Sequence, residues 1–166
     1  MRIALIDVDG HNYPNLALMK ISGYFKSCGH DVEWYNPESY YDVCFKSKVF
    51  SFTSDPNTDI NAGLVVEGGT GYHYPDGGTP LPREIEHFKP DTSIYWEKIP
   101  ATKSTAYGFL TRGCPRGCEF CVVGHKEGRR SVKVADLDEF WSGERNIDLL
   151  DPNFFACRSW GGYPSS

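Results

Sequence analysis

No stretch of this chain approaches the roughly 20 consecutive apolar residues of a membrane-spanning helix, which excludes integral membrane classes built on helices. Charge of one sign is not in large excess. A net charge of -5 exerts no general pull toward nucleic acid or anionic membranes. The start, Met1-Arg2-Ile3-Ala4-Leu5-Ile6-Asp7-Val8-Asp9, is too short and too acidic for a signal peptide. Internal repeats and low-complexity tracts are absent, which excludes repeat architectures. The glycine-rich run Gly68-Gly69-Thr70-Gly71 lacks the Gly-Lys-Ser/Thr ending of a phosphate loop. Gly69-Thr70-Gly71-Tyr72-His73-Tyr74 also misses the third glycine of a dinucleotide fingerprint.

What is present argues for a folded protein. A hydrophobic fraction of 40% and an aromatic fraction of 14% are enough to build a core. The 166 residues suit one ordinary domain, or one domain plus part of another. Six cysteines occur without a secretory context, and three of them cluster in a metal-like spacing. That usage fits a reducing cytoplasm better than a disulfide framework.

The hydrophobic pattern predicts a strand over 2–8 of the parallel-sheet kind, then a loop and a helix from Pro14 to Cys28. Leu18, Ile21, Phe25 and Cys28 share one face of that helix, and Gly29 ends it. Strands follow at Asp31–Tyr35, Tyr41–Phe45 and Ala62–Val66, the first completing a β-α-β unit. Residues 1–80 therefore read as a small open α/β sheet. Gly68 to Pro82 is an irregular loop, and 81–105 reads as a linker with a short helix at Leu81–Phe88. Ala106–Thr111 is expected as a strand leading into the cysteines. A short helix capped by Asp136 runs through Trp141, and a strand at Asn146–Leu150 follows. A helical start is expected over 153–160.

The most informative feature is the run Thr111-Arg112-Gly113-Cys114-Pro115-Arg116-Gly117-Cys118-Glu119-Phe120-Cys121. Three thiolates on one tight loop can hold a metal, and three are one short of the four that fill an ordinary iron–sulfur cluster. An iron without a cysteine is an open position for chemistry. Gly113 and Gly117 permit a tight turn, Pro115 fixes one φ, and free backbone N–H groups can point at sulfur. Phe120 is an apolar wall that can shield a cluster from water. Zinc sites usually show four ligands in paired knuckles, and the only cysteine further downstream is Cys157.

Cys114-x-x-x-Cys118-x-Phe120-Cys121 resembles the signature of the radical S-adenosylmethionine superfamily. The resemblance implies that Cys114, Cys118 and Cys121 ligate a [4Fe-4S] cluster. Its fourth iron would chelate the amino and carboxylate groups of S-adenosylmethionine. One electron would then cleave the sulfonium and release a radical that abstracts hydrogen from a substrate. An electron donor such as flavodoxin or ferredoxin is implied as a partner.

The implied fold class is α/β. A small Rossmann-like N-terminal open sheet (1–80) and a linker (81–105) precede the first strands of an incomplete radical SAM (β/α) barrel (106–166). The resemblance leads us to expect a truncated member of the family, with most of the barrel missing. In the family a second strand ends in residues that receive the amino group, often Gly-Gly-Glu. Here Asp151-Pro152-Asn153 stands there, so Asp151 and Asn153 are candidates to touch S-adenosylmethionine. A plain turn at Pro152 is the alternative.

The N-terminal part is similar to the cobalamin-binding-like domain of one branch of that superfamily. Asp9-Gly10-His11-Asn12-Tyr13-Pro14 stands where cobalamin binders carry Asp-x-His-x-x-Gly, with Asp9 positioned to orient His11. Pro14 replaces the last glycine, so cobalamin is not expected to bind. Arg112, Arg116, Lys126, Arg129, Arg130 and Lys133 surround the cysteines, against Glu119 and Glu127. They either offset an anionic cluster, attract an anionic substrate such as RNA, or form a solvated loop. The rival to an enzyme is a non-enzymatic metal-binding or remnant domain that holds zinc or nothing.

Overall fold

The computed structural model describes residues 1–56 and 59–158. The tail Trp160-Gly161-Gly162-Tyr163-Pro164-Ser165-Ser166 and the end of the helical start expected over 153–160 lie outside the described residues. The chain is mixed α/β with a small parallel sheet and few helices. It divides into two compact units, Met1–Lys103 and Ser104–Ser166. Among the described residues no helix is long and apolar enough to cross a membrane.

The first unit is built on a parallel sheet of β1 (Arg2–Asp7), β2 (Asp31–Trp34), β3 (Tyr41–Ser47) and β4 (Ala62–Gly68). Its strand order is β2-β1-β3-β4. Helix α1 (Leu16–Ser27) forms the crossover from β1 to β2. It begins two residues later than the sequence pattern suggests, because Asn15 is its N-cap and accepts from the Leu18 N–H at 3.2 Å. Gly29 ends it with φ at 81°. Leu18 and Ile21 pack with Leu5 and Ile85 on the helix side of the sheet, with Phe25 against them. Cys28 does not share that burial: it is the C-cap and is exposed. Ala4, Ile6, Tyr41 and Cys44 form the core of the other face. That face also takes Lys46, whose ammonium is buried against Asp55 at 2.5 Å.

The segment read as a linker packs within this first unit. Ile85 of helix α2 (Arg83–Glu86) and Tyr95 of a following 3-10 turn are both buried. Asp91 accepts from Ser22 and Lys26 of α1, both at 2.7 Å, and donates its N–H to the Met19 carbonyl. A Cβ on Gly23 would fall 2.5 Å from the Lys89 carbonyl oxygen, so the segment lies directly on the helix backbone. Trp34 donates to the Ile94 carbonyl at 2.8 Å.

The second unit is thinner. β5 (Thr105–Gly108) pairs in parallel with β8 (Asn146–Leu149). β6 (Thr111–Arg112) pairs antiparallel with β7 (Val132–Lys133). The strand expected over 106–111 is thus split into β5 and β6. The helix expected from Asp136 through Trp141 is only a 3-10 turn, Leu137–Glu139. Glu139 accepts from the Asp136 N–H at 3.1 Å, a helix-start contact that closes a single turn here. Ala106, Leu110 and Phe140 form the core. Gly108 is required there, since a Cβ would meet the Phe140 ring at 2.5 Å.

Candidate metal centre

β6 and β7 close a long loop, 113–131, that carries all three cysteines of the motif. Glycine makes the start of this loop possible. Gly113 has φ at 85°, and a Cβ there would overlap the Arg130 carbonyl oxygen. The Cys114 N–H donates to the Gly128 carbonyl at 3.2 Å. The Cys121 N–H donates to the Cys118 carbonyl at 3.0 Å, so the last two cysteines sit on one turn. A short helix α3 (Val123–Lys126) follows.

Glu127 anchors the loop, a role the sequence did not suggest. One of its oxygens takes the Arg112 guanidinium at 3.1 Å and the other accepts from the Gly113 N–H at 3.2 Å. Its carboxylate is nearly buried. The only sequence signal was an acid standing inside a basic stretch. Asp151 is a second anchor. It accepts from the backbone N–H groups of Leu110 and Thr111 at 2.9 and 2.6 Å, and from the Thr111 hydroxyl at 2.5 Å. These contacts commit Asp151 to joining the end of β8 to the start of β6.

Asn153 lies beside the cysteines. Its side-chain amide donates to the Cys114 sulfur at 3.5 Å, and its backbone carbonyl accepts from the Ser131 hydroxyl at 2.9 Å. The Arg116 backbone N–H and then this amide hold the Cys114 thiol below its ordinary pKa. Arg129 lies across the loop: a Cβ built on Gly117 would stand 3.1 Å from its guanidinium. Arg112 is paired with Glu127 and stacks on Phe109, and Lys133 pairs with Asp136. Arg112 is thereby tied to the root of the loop, whereas Lys133 and its partner stay exposed.

Cys118 is exposed and Cys121 half-buried. Phe120 is 90% exposed and covers nothing within the loop. Among the described residues no three His, Cys, Asp or Glu side chains are gathered as a ready metal-binding group. The donor set fits a thiophilic metal in chemistry: three thiols within eight residues, one already receiving two hydrogen bonds at sulfur.

In the first unit, Asp9 does not orient His11. Its carboxylate accepts from the Val49 and Phe50 N–H groups and from the Thr53 hydroxyl, at 2.5, 3.3 and 2.7 Å. His11 instead lies beside the Phe50 ring, with centroids 6.4 Å apart. Comparison with protein-family models, curated proteins and solved structures returns no match to this chain.

Proposed function

We infer that this chain is an iron–sulfur protein of the radical S-adenosylmethionine kind, with Cys114, Cys118 and Cys121 as the ligands of a [4Fe-4S] cluster. The observation that carries the reading is the approach of Asn153 to Cys114. It joins the segment after β8 to the cysteine loop, where the family resemblance expects cluster and cofactor to meet.

When bound, the cluster supplies the electron for reductive cleavage of the S-adenosylmethionine sulfonium. The protein's own residues do the rest. The Arg116 N–H and the Asn153 amide orient the Cys114 sulfur and stabilise its thiolate form. Arg129 places a cation across the loop and offsets negative charge there. Glu127 and Asp151 both hold the loop's first root, at Gly113 and at Leu110 and Thr111. Asn153 is the better candidate of the two to touch the methionine end, because Asp151 is already committed to Leu110 and Thr111. Phe120 would cover the metal only after the loop closes around it.

The finer fold reading is part of this proposal. The order β2-β1-β3-β4 supports a Rossmann-like, cobalamin-binding-like sheet, and the parallel pair β5 and β8 flanking the cysteine loop supports the opening of a (β/α) barrel. The partners are then S-adenosylmethionine and a reduced flavodoxin or ferredoxin in the cytoplasm.

Anaerobic reconstitution with iron and sulfide tests the reading. The expected product is brown, with broad absorption near about 400 nm and about four irons per chain. Changing Cys114, Cys118 or Cys121 to Ala is expected to remove most of that iron, and changing Cys28, Cys44 or Cys157 is not. A colourless protein that takes zinc through the same cysteines would overturn the cluster in favour of a zinc-binding loop.

A further inference from the structure

Strand β4 has the composition of a buried strand and the exposure of a surface one. Parallel strands covered on both faces read as apolar runs, and Leu64-Val65-Val66 is such a run. Yet Leu64 is 56% exposed, Val65 37% and Val66 39%. The register explains how both faces are open. Leu64 and Val66 continue the rows of Ile3 and Val43, and of Leu5 and Phe45, on the α1 side of the sheet. Val65 continues the row of Ala4 and Cys44 on the other side. β4 is the last strand in the sheet order. Proteins usually blunt such an edge with proline, lysine or a bulge. Residues 62–68 contain neither proline nor lysine, and their one charge, Glu67, is drawn back toward Lys46 at 3.6 Å.

The strand is also self-complementary. An antiparallel pairing centred on Val65 sets Val65 opposite Val65, Leu64 opposite Val66, and Gly63 opposite Glu67. Directly opposite residues share a face, so every exposed apolar side chain meets another and no like charges meet. Moving the centre to Val66 sets Glu67 opposite Val65 and Leu64 opposite Gly68, which spoils both gains. Two-fold, self-matching contacts are the commonest form of association between identical chains. We propose that β4 pairs antiparallel with β4 of a second copy about a two-fold axis at Val65. The four-stranded sheets of the two copies then join into one continuous sheet. This interface is independent of the cysteine chemistry.

Sedimentation of the full chain over a range of concentrations tests the pairing. The wild type is expected to show a concentration-dependent monomer–dimer equilibrium. Val65→Lys places two ammonium groups opposite each other and should weaken the dimer by at least about tenfold, with an unchanged circular dichroism spectrum. Leu64→Glu should weaken it too, and the double variant L64E/V66K should restore it, because each new carboxylate then faces a new ammonium. A wild type that stays monomeric overturns the proposal. So does a dimer indifferent to Val65→Lys, which would use another surface. Failure of the double variant to recover association overturns the register.

Discussion

The two units of this chain are ordered by different means. In Met1–Lys103 the inner strands β1 and β3 are packed on both faces, and Ile3, Ala4, Leu5, Leu18, Met19, Tyr41 and Cys44 are almost wholly removed from water. Burial does the ordering, and the polar contacts of Asn15, Asp91 and Lys46 complete it. Among the described residues of Ser104–Ser166 the apolar cluster of Ala106, Leu110 and Phe140 is small, and β8 is exposed along its length. There the backbone is held by glycines at positive φ and by carboxylate anchors, Glu127 and Asp151. A loop that offers sulfur to a metal has to keep it reachable, and local backbone geometry can hold such a loop without covering it.

The most forceful way to break the comparison is to cut a cavity in the first unit. Leu18→Ala removes a fully buried side chain between α1 and the sheet and should cost about 2–5 kcal/mol, read as a lower urea midpoint. A cost below about 1 kcal/mol would mean that burial does not dominate there.

The cysteines sharpen the contrast chemically. Cys44 is buried, and that burial pushes its thiol up to about 11, whereas Cys118 is exposed. In metal-free protein near neutral pH, a thiol reagent should modify Cys118 more than about a hundredfold faster than Cys44. Mass spectrometry of partly labelled protein checks this, and comparable rates would contradict the burial of Cys44.

In the second unit the decisive position should be a glycine. Gly113→Ala forces a side chain into a left-handed conformation and onto the Arg130 carbonyl. Gly128→Ala imposes a similar φ of 90° in open space. Strain alone costs about 1–3 kcal/mol, so Gly113→Ala should exceed Gly128→Ala and lower iron uptake with every ligand intact. Equal effects of the two would remove Gly113 as the hinge of the loop.

The smallest effect expected is a pH dependence. Burial by itself would raise the Asp91 carboxyl, but hydrogen bonds from Lys26, Ser93 and Ser22 outweigh it and leave the group below the ordinary carboxylate range. A depressed folded value contributes stability that is whole above the unfolded value of about 3.9 and is lost as pH falls through the folded one. Asp91→Asn should therefore lose stability at neutral pH and flatten the fall of the urea midpoint below about pH 4. A wild-type slope in the variant would assign that acid sensitivity elsewhere.

The parts of the fold legible in advance were those set by near neighbours. The strands of the first sheet and the helix ending at Gly29 follow apolar periodicity and stop signals. The segment 81–103 was not legible as part of the first unit. Its tie to the helix runs through Asp91, whose partners Ser22 and Lys26 stand 69 and 65 residues away. Nothing in the local pattern marks such a contact. The turn at Leu137–Glu139 shows the opposite failure, since its start signals are real but cannot by themselves extend a helix. Asp151 is a candidate ligand contact only through the family resemblance, and no local pattern shows that its carboxylate accepts from the backbone N–H groups of Leu110 and Thr111.

The candidate site divides along the same line. By itself the sequence determined that three thiols lie within eight residues, with Gly113 just before the first and Gly117 just before the second, because spacing along a covalent chain needs no fold. Only the tertiary structure decided which donors reach those thiols. Asn153 meets Cys114 across 39 residues because β8 pairs in parallel with β5 and delivers its end to the start of the cysteine loop. Glu127 reaches Gly113 because Gly113 turns where a side chain would collide. Contacts of this range depend on strand pairing and close backbone approach, and neither is a property of any local stretch of sequence.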